Sequence, residues 1–222
     1  MSWLRNLSLK TLSSLSKERI IVVVCIDTRN YFRVTNVLKS HGIKFTSLTE
    51  DKLSPMLDVV ISDLELKEFK RSRIVTLKRE LMESPILLLE VCRAILDKER
   101  LDQVILGIDL GKETGIVLVS DGILVLTKVV HEIVQVVSMI EEIVKLINFR
   151  EFIIKIGRSP NTQNMLYRLL KLLPKDERIK VKLVDESRVS ELFKLYSKIL
   201  KEKNDNIVAA YAICLTRDCP HF

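Results

Sequence analysis

Cysteine, glycine and aromatic residues are all scarce in this chain of 222 residues. The four cysteines form no Cys-x-x-Cys pair, so neither a zinc knuckle nor a disulfide framework is expected. Aromatic residues make up only 5% of the chain, which disfavours recognition of single strands by a stripe of stacked rings. No apolar run approaches the roughly 18 residues that a membrane-spanning helix needs. These absences predict a cytoplasmic protein without a membrane span.

The chain does contain abundant apolar and charged residues, 47% and 29% of its length, as folded soluble proteins do. Its formal charge of +7 is unevenly distributed. Residues 1–99 contain 17 Lys and Arg and 13 Asp and Glu, and residues 151–222 contain 14 and 9, so both segments are basic. Residues 100–150 contain 5 Lys and Arg and 7 Asp and Glu, so this segment is acidic. An acidic segment between basic ones suits acids that bind metal close to a polyanion. Lys-rich helices that are merely solvated are the alternative interpretation.

The first half of the chain predicts an N-terminal extension over residues 1–18 and a small Rossmann-like α/β domain over residues 19–101. Its first strand is a continuous β-branched run, typical of a strand buried on both faces of a parallel sheet. No Gly-rich phosphate loop follows, so Asp27 at the end of this strand is expected to be a turn or cap residue. Strands are predicted at 19–26, 44–48, 58–62 and 73–77, and helices at 31–40 and 85–98.

A second domain is predicted over residues 102–222, where a new apolar run begins at Val104. The Asp121-Gly122 pair between two apolar runs predicts a hairpin. Three antiparallel strands followed by a helix and a strand are the opening of the RNase H-like fold. We therefore expect a mixed five-stranded sheet with flanking helices. Its strands are predicted at 104–109, 115–120, 123–129, 152–156 and 180–184, and its helices at 131–148, 161–173, 188–203 and 205–215.

Glycine is concentrated at one place in the chain. Four of the six glycines lie within sixteen residues, at Gly107, Gly111, Gly115 and Gly122. Asp109 ends the apolar strand, and the glycines of the following turn would let the backbone approach a phosphate or a metal. An RNase H-like nuclease and an actin-like ATP-binding protein would both use this arrangement. The chain has no second Asp-x-Gly, which the ATP-binding class needs.

Further elements follow in order along the second domain. Ser120-Asp121 lies at the hairpin, a Gly-x-Pro-like turn spans 157–161, a strand runs into Asp185-Glu186, and Asp205 precedes a helix with small residues. Together with the Gly-x-Asp-x-Gly segment, this ordered set resembles the YqgF/RuvX family, relatives of the Holliday junction resolvase RuvC. The resemblance covers roughly residues 104–216. It implies an RNase H-like domain that hydrolyses phosphodiester bonds.

The resemblance implies a metal site built from acids on separate elements, because Mg²⁺ and Mn²⁺ prefer oxygen ligands. Asp109 is the expected central ligand, with Glu186 second and Asp205 third, and the same three acids are the expected catalytic residues. Asp185 is the alternative to Glu186, since neighbouring strand residues point to opposite faces. Other roles stay open: Asp109 as a turn residue, Asp205 as a helix N-cap, and the Asp185-Glu186 pair as a helix start.

Basic residues near these turns are expected to contact phosphates, with a solvated surface role as the alternative. They are Lys112, Arg158, Arg188 and Lys203. The expected function is a Mg²⁺- or Mn²⁺-dependent nuclease that acts on branched DNA or structured RNA. A homodimer is expected if it resolves symmetric junctions as RuvC does. The alternative is a non-catalytic RNase H-like module that binds nucleic acid or protein, and an actin-like ATP-binding protein is a third candidate.

Overall fold

The structure is a computed structural model that describes residues 10–54, 56–67, 69–77, 84–185, 193, 196–197, 200 and 204–216. The chain divides into two compact units. One unit comprises Lys10–Leu101 and Glu142–Phe149, and the other includes Asp102–Glu141 and Arg150–Phe222. No helix in the described ranges has both the length and the apolar content needed to cross a membrane.

The first unit contains a four-stranded parallel sheet with the strand order β2-β1-β3-β4. Every residue of β1 and β3 is buried, as expected for strands covered on both faces. The prediction of an α/β arrangement in this half is therefore confirmed. Its elements are α1 (Leu12–Ser16), β1 (Ile21–Val24), α2 (Thr28–Ser40), β2 (Thr46–Ser47), β3 (Val59–Ser62), β4 (Ile74–Thr76) and α3 (Ser84–Ile95).

Asp27 is the N-cap of α2. Its carboxylate accepts a hydrogen bond of 2.7 Å from the backbone N–H of Arg29, one of the donors that a helix start leaves without a partner. The predicted cap role of Asp27 is confirmed, and α2 begins three residues earlier than the sequence predicts. The neighbouring thiol of Cys25 is half-buried, and this burial, with the nearby Asp63 carboxylate, raises its pKa to about 11.

The remaining elements build a five-stranded sheet with the order β7-β6-β5-β8-β9. The β5–β6 and β6–β7 pairs are antiparallel and the β8–β9 pair is parallel, so the sheet is mixed, as predicted. The elements are β5 (Leu101–Asp109), β6 (Thr114–Ser120), β7 (Ile123–Val130), α4 (Ile133–Leu146), β8 (Phe149–Arg158), α5 (Gln163–Leu172), β9 (Ile179–Asp185) and α6 (Asp205–Leu215).

The predicted hairpin at Asp121-Gly122 is confirmed. Both residues have positive φ, +47° and +80°, as the tightest hairpin turns require. The Asp121 carboxylate also accepts hydrogen bonds from the backbone N–H groups of Gln103, at 2.8 Å, and Asp102, at 3.3 Å. The Ser120-Asp121 motif therefore ties the turn to the beginning of β5, at the edge of the sheet opposite Asp109.

Strand bounds differ most from the prediction in β8, which extends over ten residues where the apolar pattern predicts five. Three of the five added residues, Arg150, Glu151 and Arg158, carry charged side chains, which obscure the strand in the sequence. Most of the helix predicted over 188–203 lies outside the described residues. The four residues of it that are described, Phe193, Tyr196, Ser197 and Leu200, are helical.

Candidate active site

Helix α6 packs with its backbone directly against β5 and β6, at two glycines. A β-carbon on Gly107 would lie 2.4 Å from the carbonyl oxygen of Ala210, and one on Gly115 would lie 2.1 Å from that of Asn206. Real β-carbons do not approach other atoms so closely, so these positions need glycine. The sequence predicts that the glycines admit a phosphate or a metal, whereas at Gly107 and Gly115 the space is occupied by α6.

The face of the sheet that α6 covers, called the α6 face below, includes the side chain of Asp109. Gly107 and Asp109 lie two residues apart on β5 and therefore point to the same face. Asp109 is also the cross-strand partner of Gly115. Because Gly107 meets the middle of α6 and Gly115 meets its first turn, Asp109 lies beside the N-terminal end of the helix. Its side chain is half-buried.

Asp205 is the first residue of α6, and Asn204 caps the helix. The Asn204 side chain accepts hydrogen bonds from the backbone N–H groups of Asn206, at 3.0 Å, and Ile207, at 3.4 Å. The alternative role of Asp205 as the N-cap is therefore not found. Asp205 is exposed at the positive end of the helix dipole, where an acid is stabilised. The structure thus brings Asp109 and Asp205 to one end of α6.

A further acid at this end, Glu113, is absent from the site predicted by the sequence. The side-chain amide of Asn206 donates a hydrogen bond of 3.4 Å to the Glu113 carboxylate, which links the turn after β5 to the first turn of α6. The available signal was an acid between Gly111 and Gly115. In the sequence this turn stands out for its glycines, and a contact between residues 93 positions apart leaves no local pattern.

Asp185 lies on the face of the sheet opposite to Asp109. Its neighbour Val184 is buried in the core cluster that includes Val117, Tyr211 and the inner side of α6, so Val184 points to the α6 face and Asp185 points away. The cross-strand register agrees with this assignment. Lys155 lies on the α6 face of β8, because its ammonium donates to the Thr216 carbonyl oxygen at the end of α6. Gly157, two residues further, is on the same face and pairs with Val184.

Glu186 lies outside the described residues.

Strands β5, β8 and β9 end at the same edge of the sheet. The first residues of β5 and β8 are adjacent: the backbone N–H of Leu101 donates to the Asn148 carbonyl oxygen at 3.0 Å, and the Gln103 amide donates to Glu151 at 3.0 Å. The two strands therefore run in the same direction, and β9 is parallel to β8. Their carboxyl ends, with Asp109 on β5, accordingly share one edge.

Two of the four basic residues predicted to contact phosphates, Lys112 and Arg158, lie within the described ranges. Lys112 lies in the turn after β5 and Arg158 is the last residue of β8, and both side chains are exposed at the edge that carries Asp109. Alternation along β8 directs Arg158 away from the α6 face. Arg188 and Lys203 lie outside the described residues.

Among the cysteines that the structure describes, Cys214 lies on the α6 face, in the last turn of the helix, and its role is structural. Cys214 packs on Gly107 and is fully buried, and burial raises its pKa to about 12. A thiol with such a pKa is neutral at physiological pH and serves as a small packing group.

The acids of this edge provide oxygen donors of the kind that Mg²⁺ and Mn²⁺ prefer. Within the described ranges, no three His, Cys, Asp or Glu side chains are grouped closely enough to hold a metal ion. Asp109 and Asp205 nevertheless lie at the same end of α6, and the second expected ligand, Glu186, is outside those ranges. Neither protein-family models nor curated proteins match the chain.

Proposed function

We propose that the second half of the chain is an RNase H-like domain with a metal-dependent nuclease site for structured nucleic acid. The observation that carries the proposal is that Asp109 and Asp205, 96 residues apart, lie at the same end of α6 on one face of the sheet. The order β7-β6-β5-β8-β9, with three antiparallel strands in series at one side, supports the proposed fold.

In this proposal Asp109, Asp205 and Glu186 hold one or two ions of Mg²⁺ or Mn²⁺. Glu186 is proposed from the sequence, since Asp185 points to the opposite face. A bound ion of this kind activates water and stabilises the leaving oxygen of a phosphodiester. The half-buried position of Asp109 limits access of bulk water to its carboxylate, which strengthens its interaction with a cation.

The other groups at this edge would position the substrate. The exposed Lys112 and Arg158 provide cations for phosphate oxygens, and Arg188 and Lys203 are proposed for the same role from the sequence. Glu113, which accepts a hydrogen bond from Asn206, lies in the same turn as Lys112. The substrate class that fits is branched DNA or structured RNA, and resolution of a symmetric junction would require a homodimer.

The test is cleavage of a four-way DNA junction and of a stem-loop RNA by the full chain, with Mg²⁺ or Mn²⁺ and with EDTA. Asp109→Asn should lower the rate by at least about 100-fold, because even residues behind a metal ligand contribute 10- to 100-fold. Glu177→Gln is the matched control, since Glu177 is exposed just before β9, at the opposite edge of the sheet. Both variants should unfold at the same denaturant concentration as the unmodified chain.

Cleavage by Asp109→Asn at the rate of the unmodified chain would show that the activity comes from another site or a contaminant, and the proposal would be wrong. Binding of nucleic acid without cleavage by the unmodified chain would instead identify the non-catalytic module. Nucleotide binding measured by calorimetry would identify an ATP-binding protein.

A further inference from the structure

Helix α5 has two chemically different faces. Leu166 and Leu169 point inward and are buried. At 100° per residue, Asn164, Tyr167, Arg168 and Lys171 fall within one arc on the opposite side of the helix. All four are exposed, and the Tyr167 side chain has 68% of its surface accessible. We call these four residues the α5 face.

The segment that carries the α5 face is rich in cations. Residues 158–182 contain seven Lys and Arg against two Asp and Glu. Asp176 is bound to Arg178 at 2.7 Å, and Lys180 pairs with Glu151. In the described part of the chain, neither Arg168 nor Lys171 makes an ion pair. Two uncompensated cations therefore lie within one helical turn of an exposed aromatic ring.

We propose that the α5 face binds single-stranded nucleic acid, with Tyr167 stacked on a base and Arg168 and Lys171 on phosphates. The composition disfavours a stripe of stacked rings, but one exposed ring beside cations still combines the two elements of surfaces that bind single strands without sequence preference. Protein interfaces are depleted in lysine. Leu170 and Leu172 are partly exposed, at 40% and 46%, but they lie on opposite flanks of the α5 face and form no continuous apolar stripe for a bilayer. Nucleic acid is therefore the partner that the chemistry favours.

The position of α5 connects this surface to the candidate active site. Strand β8 ends at Arg158, at the edge that carries Asp109, and α5 begins after a single short turn at Pro160–Thr162. The α5 face then extends away from this edge for about 10 Å between Asn164 and Lys171, at 1.5 Å per residue. The inference rests on the proposed function in one respect: it makes this strand the unpaired part of a structured substrate.

Stacking is tested by fluorescence anisotropy with a labelled oligothymidylate and the full chain in EDTA, so that cleavage is absent. Tyr167→Ala should weaken binding by about 10-fold, within the range known for loss of one stacked base. Tyr167→Phe keeps the ring and should bind as the unmodified chain does. Equal affinity of Tyr167→Ala and Tyr167→Phe would overturn the role of the ring.

The phosphate contacts are tested by the salt dependence of the same binding. Loss of two contacts to a single strand should reduce the slope of log K against log salt by about 1.4, since each contributes about 0.7. The variant is Arg168→Gln with Lys171→Gln. The control is Arg33→Gln with Lys39→Gln, which removes two exposed cations from α2. Equal slopes in the two double variants would overturn the proposal.

The outcomes separate this inference from the proposed function. If the chain cleaves its substrate but Tyr167→Ala binds oligothymidylate as well as the unmodified chain does, only the proposed binding role of the α5 face is wrong. If the chain binds no nucleic acid, both proposals are wrong. Self-association in sedimentation that Tyr167→Ala abolishes, without any nucleic-acid binding, would assign the α5 face to a protein interface and overturn the inference.

Discussion

The carbonyl oxygen of Asn206 lies 2.1 Å from the point that a β-carbon on Gly115 would occupy. The first turn of α6 is therefore in direct contact with the backbone of β6. Because Gly115 is the cross-strand partner of Asp109, this contact also sets the position of Asp205 relative to Asp109. The absence of a side chain at Gly115 thus allows α6 to bring Asp205 to the edge that carries Asp109.

Substitution of Gly115 by alanine should destabilise the protein. The added methyl group has to displace the α6 backbone, and overpacking of this kind costs about 1–3 kcal/mol in the free energy of unfolding. Gly111→Ala is the matched control, because its β-carbon would lie 3.2 Å from the nearest atom, the Glu113 carbonyl oxygen. Urea denaturation of both variants is the measurement. Equal stabilities would show that α6 does not contact Gly115 in solution.

A second prediction concerns Lys155, which is buried on the α6 face. Its ammonium donates a hydrogen bond of 2.7 Å to the carbonyl oxygen of Thr216, just beyond the last turn of α6. Helix ends expose carbonyl groups that need donors, so Lys155→Met should leave one unsatisfied and lower the free energy of unfolding by about 1–3 kcal/mol.

The control for this prediction is Lys180→Met, since Lys180 is 60% exposed and pairs with Glu151. Exposed ion pairs contribute at most about 1 kcal/mol. A loss from Lys155→Met no larger than that from Lys180→Met, measured by thermal and urea unfolding, would contradict a capping role for the buried ammonium.

The elements that the sequence predicts best are those with local signals. The turn at Asp121-Gly122 is encoded by residues that tolerate positive φ. The strand that ends at Asp109 is encoded by its apolar run. The concentration of glycines correctly indicates a close backbone approach. The sequence does not indicate which group approaches the glycines, because a phosphate and a helix backbone both require a residue without a side chain. At Gly107 and Gly115 tertiary packing places the backbone of α6 there.

The parts of the site that the sequence does not determine depend on strand face and on distant contacts. The choice between Asp185 and Glu186 turns on a one-residue alternation, which became visible only through the burial of Val184. The bond between Asn206 and Glu113 joins separate elements. The burial of Lys155 is equally hidden, because lysine within a strand is normally a solvent-facing residue.

A third prediction concerns pH and Asp97, which follows α3 with a positive φ of 53°. Hydrogen bonds from Lys70 and Ser72 hold the pKa of its carboxyl far below the usual 3.8. A hydrogen bond from Arg73 lowers the pKa by a smaller amount, and burial opposes these effects without cancelling them. A depressed pKa in the folded state stabilises the protein above the ordinary value. This stabilisation is lost as the pH falls.

Asp97→Asn should therefore cost about 1 kcal/mol at neutral pH, after allowance for the partial exposure of the ion pairs, and the difference should shrink below about pH 4. Asparagine tolerates the left-handed backbone, so the substitution removes the charge and one hydrogen-bond acceptor without straining the main chain. Asp51→Asn, on an exposed residue of the same unit, is the control. A stability difference that stays constant between pH 7 and pH 3 would contradict the assigned pKa shift.

The two residues at the start of α6 should separate folding from catalysis. Asn204→Ala removes the cap and should lower the free energy of unfolding by about 1 kcal/mol. Asp205→Asn removes only an exposed charge near the helix dipole and should cost less than about 1 kcal/mol. If Asp205 is a metal ligand, its variant should nevertheless lose at least about 100-fold in cleavage rate, while Asn204→Ala keeps most of its activity under conditions where it is folded. The reverse pattern, with Asp205→Asn fully active, would reduce Asp205 to a helix-stabilising residue and leave the proposed metal site without its third ligand.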